Sequence, residues 1–284
     1  MTAPLARQRP ALATVARAGR ALALLWAALA AAPATASQPL WELGLGIGAL
    51  RLPHYRGSDQ SHGWLLPAPY VVYRGKIFRA TREGARAVLF ESERFDFDLS
   101  VAATAPADSS SNVARSGMPD LDPTLEFGPN LNLTLARGGD WKLDLRLPLR
   151  AVVALGGETR VVGVTASPVL NVDWRLRDWN LGLQGGPLFA SRAYHAHFYD
   201  VAAVYARPDR PAYSAGGGAA GWQLTAAASR RFDRFWAGAF VRADSVAGAV
   251  FDASPLVRRR DNVAFGMALV WVFATSEERV ADER

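Results

Sequence analysis

Residues Asn262 to Phe273 read N-V-A-F-G-M-A-L-V-W-V-F. In a strand, successive side chains point to opposite faces. Val263, Phe265, Met267, Leu269, Trp271 and Phe273 then share one face, and the smaller Ala264, Gly266, Ala268, Val270 and Val272 share the other. Two readings fit. One is a half-buried strand of a soluble sandwich. The other is a membrane strand with its large side chains in lipid and its closing aromatic pair in an interfacial girdle. The rest of the chain has to choose between them.

Composition narrows the choice. The chain has 284 residues and no Cys, which excludes a disulfide framework, a thiolate metal site and an acylated lipoprotein Cys. Mean hydropathy is close to zero. Helical membrane spans of roughly 20 apolar residues each would raise it well above that, whereas alternating strands average out near zero. The formal charge is +6. Arg7, Arg9, Arg17 and Arg20 lie in the first 36 residues, which contain no acid, so the remainder carries 6 − 4 = +2. Nucleic-acid binding loses its main support at that value.

Residues 1–36 read as a cleaved secretory signal peptide. Arginines come first, then the apolar run Ala21 to Ala32, then Ala34-Thr35-Ala36 as a small-x-small cleavage site. Strand patterns follow. Trp41, Leu43, Leu45 and Ile47 alternate with Gly44, Gly46 and Gly48. Pro53 to Gly63 reads as a polar loop, Leu65 to Tyr73 as a strand, and residues 76–91 as a short hairpin. Phe95, Phe97, Leu99 and Val101 oppose Asp96, Asp98 and Ser100. The same alternation recurs over residues 124–136, 141–154, 162–177, 179–191, 218–231 and 235–246. Gly138-Gly139-Asp140, Arg177-Asp178 and Asp233-Arg234 read as tight turns. Residues 105–120, 192–217 and 248–260 read as long loops, with Arg192 to Gly217 irregular throughout.

The count is about twelve strands, several of them 10 to 14 residues long. Soluble strands average roughly 5 to 6 residues, and tilted membrane strands need about 9 to 11. Length, alternation and leader together predict an all-β fold: a closed antiparallel transmembrane β-barrel over residues 37–273, with a charged C-terminal tail at 274–284. Closure removes the unpaired edges that hydrocarbon does not tolerate. Asp96, Asp98, Asp144, Arg146, Asp173 and Arg175 are then expected in the lumen, wet if it is wide, paired and plugged if it is narrow.

Certain ordered motifs carry a resemblance. These are the Trp41-E-L-G-L-G start, P-H-Y-R-G-S-D at Pro53 to Asp59, L-P-A-P-Y at Leu66 to Tyr70, R-P-A-Y-S-A-G-G-G at Arg210 to Gly218, and S-P-L-V-R-R-R at Ser254 to Arg260. In this order, over nearly all of the chain after the leader, they resemble the MipA/OmpV family. The resemblance implies an outer-membrane barrel of a Gram-negative cell, surrounded by outer-membrane lipid, with no catalysis and no cofactor. It further implies a scaffold that joins a murein lytic transglycosylase to a murein synthase. The family positions singled out as loop or partner contacts are Pro53, Tyr55, Gly57, Ser58, Asp59, Arg210, Pro211, Tyr213, Gly216, Gly217, Ser254 and Pro255. One departure stands out. Such barrels commonly end on a C-terminal aromatic residue, and here eleven residues follow Phe273, read as a short periplasmic extension.

Other classes were weighed on their residues. A porin-like diffusion channel needs an open lumen. A hydrolase needs a nucleophile, a base and an orienting acid, for which Ser58 and Asp59 near His54 and His62 are the candidates; no G-x-S-x-G is present. His195 and His197 would share a face if in a strand, with no third metal ligand nearby. Gly216 to Gly218 lacks the strand-then-helix context of a phosphate cradle. Arg258 to Arg260 reads as a solvated basic loop end.

Overall fold

The computed structural model describes residues 37–75, 78–81, 84–92, 94–156 and 159–281. The leader reading of residues 1–36 falls outside them, as do Lys76, Ile77, Arg82 and Glu83 of the hairpin near residues 76–91.

The strands of the main sheet are β2 (Trp41–Pro53), β3 (Ser61–Arg74), β4 (Phe78–Thr81), β5 (Gly84–Glu91), β6 (Phe95–Thr104), β7 (Thr124–Arg137), β8 (Trp141–Ala154), β9 (Arg160–Ala166), β10 (Val169–Leu176), β11 (Trp179–Ala190), β12 (Gly218–Phe232), β13 (Phe235–Ser245) and β14 (Asp261–Thr275). All pair antiparallel with their neighbours. The ring closes where β14 pairs with β2, Phe265 opposite Arg51 and Leu269 opposite Ile47. Both β9 and β10 lie between β8 and β11. They are one stave interrupted at Ser167-Pro168, where Pro168 supplies no N–H. Thirteen strands with β9 and β10 counted once therefore make twelve staves. Separately, β1 (Ser37–Pro39) pairs with β15 (Arg279–Ala281) inside the segment read as a charged tail.

Alternation sets the two surfaces. On β14, Val263, Phe265, Met267, Leu269, Trp271 and Phe273 are exposed, and Ala264, Gly266, Val270 and Val272 are buried in the lumen. The same holds on β6, where Phe95, Phe97, Leu99 and Val101 face out and Asp98 is buried. A belt of exposed Leu, Val, Phe and Trp with polar side chains inside is what a bilayer selects, and the chain is an outer-membrane β-barrel. Among the described residues no helix is long and apolar enough to cross a membrane; the strands do so.

The termini of the ring and the turns at 138–140, 177–178 and 233–234 lie at one end. Arg177 and Asp233 open two-residue turns with positive φ of 54° and 46°, a region costly for an L side chain and least so for Asp. Loops 54–60, 105–123, 191–217 and 246–260 lie at the other end. Short turns mark the periplasmic side and long loops the outer side.

Polar groups in the lumen are paired. At the turn end, Glu42 accepts from Arg74 at 2.6 Å and also pairs with Arg231. Above this, Tyr70, Val72, Val270 and Val272 pack together with Trp236, the Tyr70 and Trp236 rings 5.6 Å apart. Gly46 of β2 lies so close to β14 that a Cβ there would come within 2.0 Å of the Leu269 carbonyl oxygen. Further up, Asn130 and Asn132 donate to Asp98 at 3.2 and 2.8 Å, Lys142 pairs with Asp144 at 3.1 Å, and Arg146 with Asp173 at 3.4 Å. Of the charges expected in the lumen, Asp98, Asp144, Arg146 and Asp173 have the partners that a paired lumen calls for.

Two boundaries differ from the sequence reading. The β2–β3 ladder runs to Pro53 and resumes at Ser61, so the polar loop is shorter than Pro53 to Gly63. The segment after β11 is not irregular throughout: Arg192–Tyr199 is an α-helix, α1. Ser191 caps it, its side chain accepting from the Tyr194 N–H.

Candidate functional site

The outer loops fold into a cap with its own hydrophobic core. Tyr55, Leu121, Phe198, Tyr199, Val246, Phe251 and Leu256 are buried together, from four different loops. The Tyr199 and Phe251 rings stack with centroids 3.7 Å apart, and the His195 ring meets Phe251 edge-on at 4.7 Å. Loops of this length are usually mobile and polar. Here four of them pack on one another at the outer end of the barrel.

Two buried arginines staple the cap through carbonyls. Arg115 donates to Ser109 Oγ at 3.2 Å, to Phe198 O at 3.1 Å and to Pro119 O at 3.0 Å. Arg210 donates to Tyr205 O at 2.7 Å, Ala114 O at 2.9 Å and Ser116 O at 3.0 Å. Five fixed donors let one guanidinium tie several loops. A third, Arg56, ties the first loop to the wall through Asp244 at 3.2 Å and the Ala220 carbonyl at 2.8 Å.

Most of the family positions lie within this cap. Tyr55 Oη donates to Leu256 O at 2.8 Å. The Gly57 N–H donates to Asn262 Oδ1 at 2.7 Å, and Asn262 Nδ2 returns a bond to Ser58 O at 2.6 Å. Gly57 has φ +94°, so a side chain there would be strained. Ser254 Oγ donates to Tyr199 O at 2.8 Å. Gly216 accepts from His195 Nδ1 at 2.7 Å, and Tyr213 pairs with Val201 through two backbone bonds. Pro53 ends the β2 ladder. Asp59, Pro211, Gly216 and Gly217 are exposed, and Pro255 precedes the buried Leu256.

The remaining chemical candidates are placed as follows. Asn112 Nδ2 reaches both His54 Nδ1 at 3.0 Å and Ser58 Oγ at 3.1 Å, while Ser58 Oγ donates to Gln60 O. The serine proton is thus spent on a carbonyl rather than aimed at a base. The His62 ring lies against the Trp64 ring at 4.5 Å. His195 and His197 lie on α1, not in a strand. Two positions apart on a helix they diverge by about 200°: His195 points into the cap core and His197 toward Arg160 at 3.5 Å. No group of three metal-binding side chains occurs among the described residues. Arg260 pairs with Asp252 at 2.9 Å, and the backbone N–H groups of Arg258 and Arg259 donate to Gly57 O.

Burial tunes the cap's titratable groups toward neutrality. It pushes the Tyr55 hydroxyl up to about 12 and raises Tyr194 and Tyr199 further. Burial, and then the Arg160 charge, depress His197 to about 4. Burial, and then His62, lower His54. Sequence reasoning missed Asn112, Arg115, Arg56 and Phe251. No periodicity marks them, because their partners come from distant loops.

A family model described as "MltA-interacting protein MipA" matches residues 45–273. No curated protein matches the chain. Among solved structures it is similar to a bacterial polysaccharide outer membrane secretin (TM-score 0.43, 10% identity, covering 82% of this chain and 99% of that one). It is also similar to outer membrane phospholipase A from Escherichia coli (TM-score 0.35, 8% identity, 85% and 93%) and to a porin (TM-score 0.28, 7% identity, 83% and 100%).

Proposed function

The chain belongs to the MltA-interacting protein MipA family, and from that membership we propose that it is a non-catalytic outer-membrane scaffold for murein-remodelling enzymes. In this reading residues 1–36 are the cleaved leader, residues 37–273 the barrel and the rest a periplasmic tail. The turn end holds a lytic transglycosylase, and through it or beside it a murein synthase. The family's name, MltA-interacting protein, supplies the first partner class. The observation that supports a scaffold over a diffusion channel is the cap, whose core of Tyr55, Tyr199, Phe251 and Leu256 joins three of the outer loops to one another. Below it the lumen charges are neutralised in pairs. The exposed surface left for a periplasmic partner is the rim of short turns around 138–140, 177–178 and 233–234. The cap motifs then hold the loops together, and the partner contact belongs to the opposite end.

A pull-down tests this. The folded barrel in detergent is immobilised and exposed to a membrane extract of the same cell, beside an unrelated barrel. A lytic transglycosylase retained above the control, and lost when the 138–140 and 177–178 turns are exchanged, is the expected result. Retention equal to the control overturns the scaffold. In a planar bilayer the intact barrel is expected to show no steady porin-like conductance.

A further inference from the structure

The wall of the barrel is cut down on one side. β3 is paired along its whole length to β2. On its other side, among the described residues, it pairs with β4 only at Tyr73 and Arg74. β4 in turn runs only to Thr81, which pairs with Gly84 of β5. β5 joins β6 no higher than Arg86 opposite Ser100. Residues 61–69 of β3 therefore have no strand partner on this side among the described residues, a strip roughly 26 Å long at about 3.3 Å per residue. Above, the cap bridges the space: Gln60 Nε2 donates to Ser111 O at 3.1 Å and Gln60 Oε1 accepts from the Val113 N–H at 2.6 Å. The result is a window framed by β3, the hairpin, the end of β6 and the cap.

The sequence is built for an edge at this place. The Arg74 N–H donates to Leu40 O, toward the β2 side. Backbone groups alternate along a strand, so the even positions of β3 bond toward β2 and the odd positions toward the window. Pro67 and Pro69 are odd. The two donors that a further strand would need at these positions do not exist. The edge is barred against strand addition, whether by a second copy or by another chain. At membrane depth, carbonyls without a strand partner are tolerated only where they are buried in protein or line a water-filled cavity. In a barrel wall that cavity is the lumen, onto which the window faces.

Its lumen side has an apolar lining. Leu66 points inward yet stays 48% exposed, whereas inward Ala264 and Val270 of the complete wall are 0% and 2% exposed. Leu66 sits opposite Gly48, and Trp64 opposite Leu50. Across the window the inner face is polar: Arg150 donates to Ser100 Oγ at 3.0 Å, and Thr165 to Glu126 at 3.4 Å. Outside, the rim is apolar, with Leu65, Val71 and Val101 exposed.

We propose that this window is a lateral entry for a membrane lipid, its acyl chain lying against Trp64, Leu66 and Ala68 inside the lumen and its polar part facing the Ser100–Arg150 side. The idea is independent of the scaffold reading and uses the opposite half of the barrel.

Photolabelling tests it through strand parity. The folded chain is reconstituted in phosphatidylcholine vesicles containing a phospholipid with a diazirine in its acyl chain. Adducts are then mapped by mass spectrometry. In a complete wall only odd, outward residues of β3 (Leu65, Pro67, Val71) meet lipid. The window predicts additional adducts on the even residues Trp64, Leu66 and Ala68, and none on inward Ala264, Ala268 and Val270 of β14. A Leu66→Arg variant, verified as folded by its mobility in unheated electrophoresis, is expected to lose the inner adducts several-fold while keeping those on Leu65. Adducts on β3 confined to odd positions overturn the proposal, as do equal adducts on the inner face of β14. If the variant does not fold, the parity pattern of the parent chain alone decides.

Discussion

On the wall, Phe265, Trp271 and Phe273 of β14 stand outward and exposed, while Ala264 and Gly266 are buried. In the cap the pattern reverses: Phe251, Leu256 and Tyr199 are buried at the centre, and Arg258 to Arg260 are exposed. One chain thus holds two inverted solutions to the same cost of wetting apolar surface. The wall gives its large side chains to lipid. The cap, standing in water, must bury its own. The difference teaches that an aromatic residue in this protein has no fixed meaning until its solvent is known.

The comparison breaks most sharply at matched phenylalanines. Phe251→Ala is expected to cost the cap about 3–5 kcal/mol, read as loop proteolysis and loss of outer-loop ordering with the barrel still folded. Phe265→Ala on the wall leaves no cavity in a packed core, and its effect on cap proteolysis is expected to be nil. Equal effects would dissolve the distinction between the two regions. The converse probe is a charge on the lipid face. Leu269→Arg is expected to cost about 2–4 kcal/mol of folding into vesicles, measured by denaturant titration, without loosening the cap of the molecules that fold.

Acid sharpens the same contrast. The folded-state pKa of His197 is about 4, below its ordinary value of 6.5. The unfolded cap therefore binds the proton more readily than the folded one. The stability that depends on neutral His197 is full above about pH 6.5 and is lost as the pH falls toward 4. His54 and His195 are shifted in the same direction. Loop proteolysis rising over that window, and flattened in His197→Gln, is the expected outcome; a pH-independent cap contradicts it. The smallest effect is expected from Tyr55→Phe. It removes the 2.8 Å bond to the Leu256 carbonyl and should cost about 1 kcal/mol, seen as a small fall in the cap's protease resistance.

Legibility followed the same divide. Each wall strand announces itself locally, because a period of two between lipid and lumen is written into consecutive residues such as Phe95 to Val101. The lumen positions of Asp98, Asp144 and Asp173 came with that period. Helix α1 is not legible because eight residues with a single capping serine carry little signal, so the segment that holds the two histidines reads as an irregular loop. Tyr55, Gly57 and Ser58 were visible as a motif, and the turn chemistry of Gly57 is what the structure shows. Their partners Asn112, Leu256 and Asn262 were not visible as partners, since contacts between loops dozens to hundreds of residues apart leave no spacing to read.

The sequence by itself determined the barrel: its strands, its two faces and a stave count of about twelve, because a strand between oil and water needs only its own alternation to declare which side is which. Only the tertiary structure decided that the loops close into a cap, that the lumen charges pair, and that two prolines of β3 border an opening in the wall. Those features depend on which distant segments meet. A chain fixes such meetings through the summed packing and hydrogen bonding of the folded whole, not through any pattern in consecutive residues.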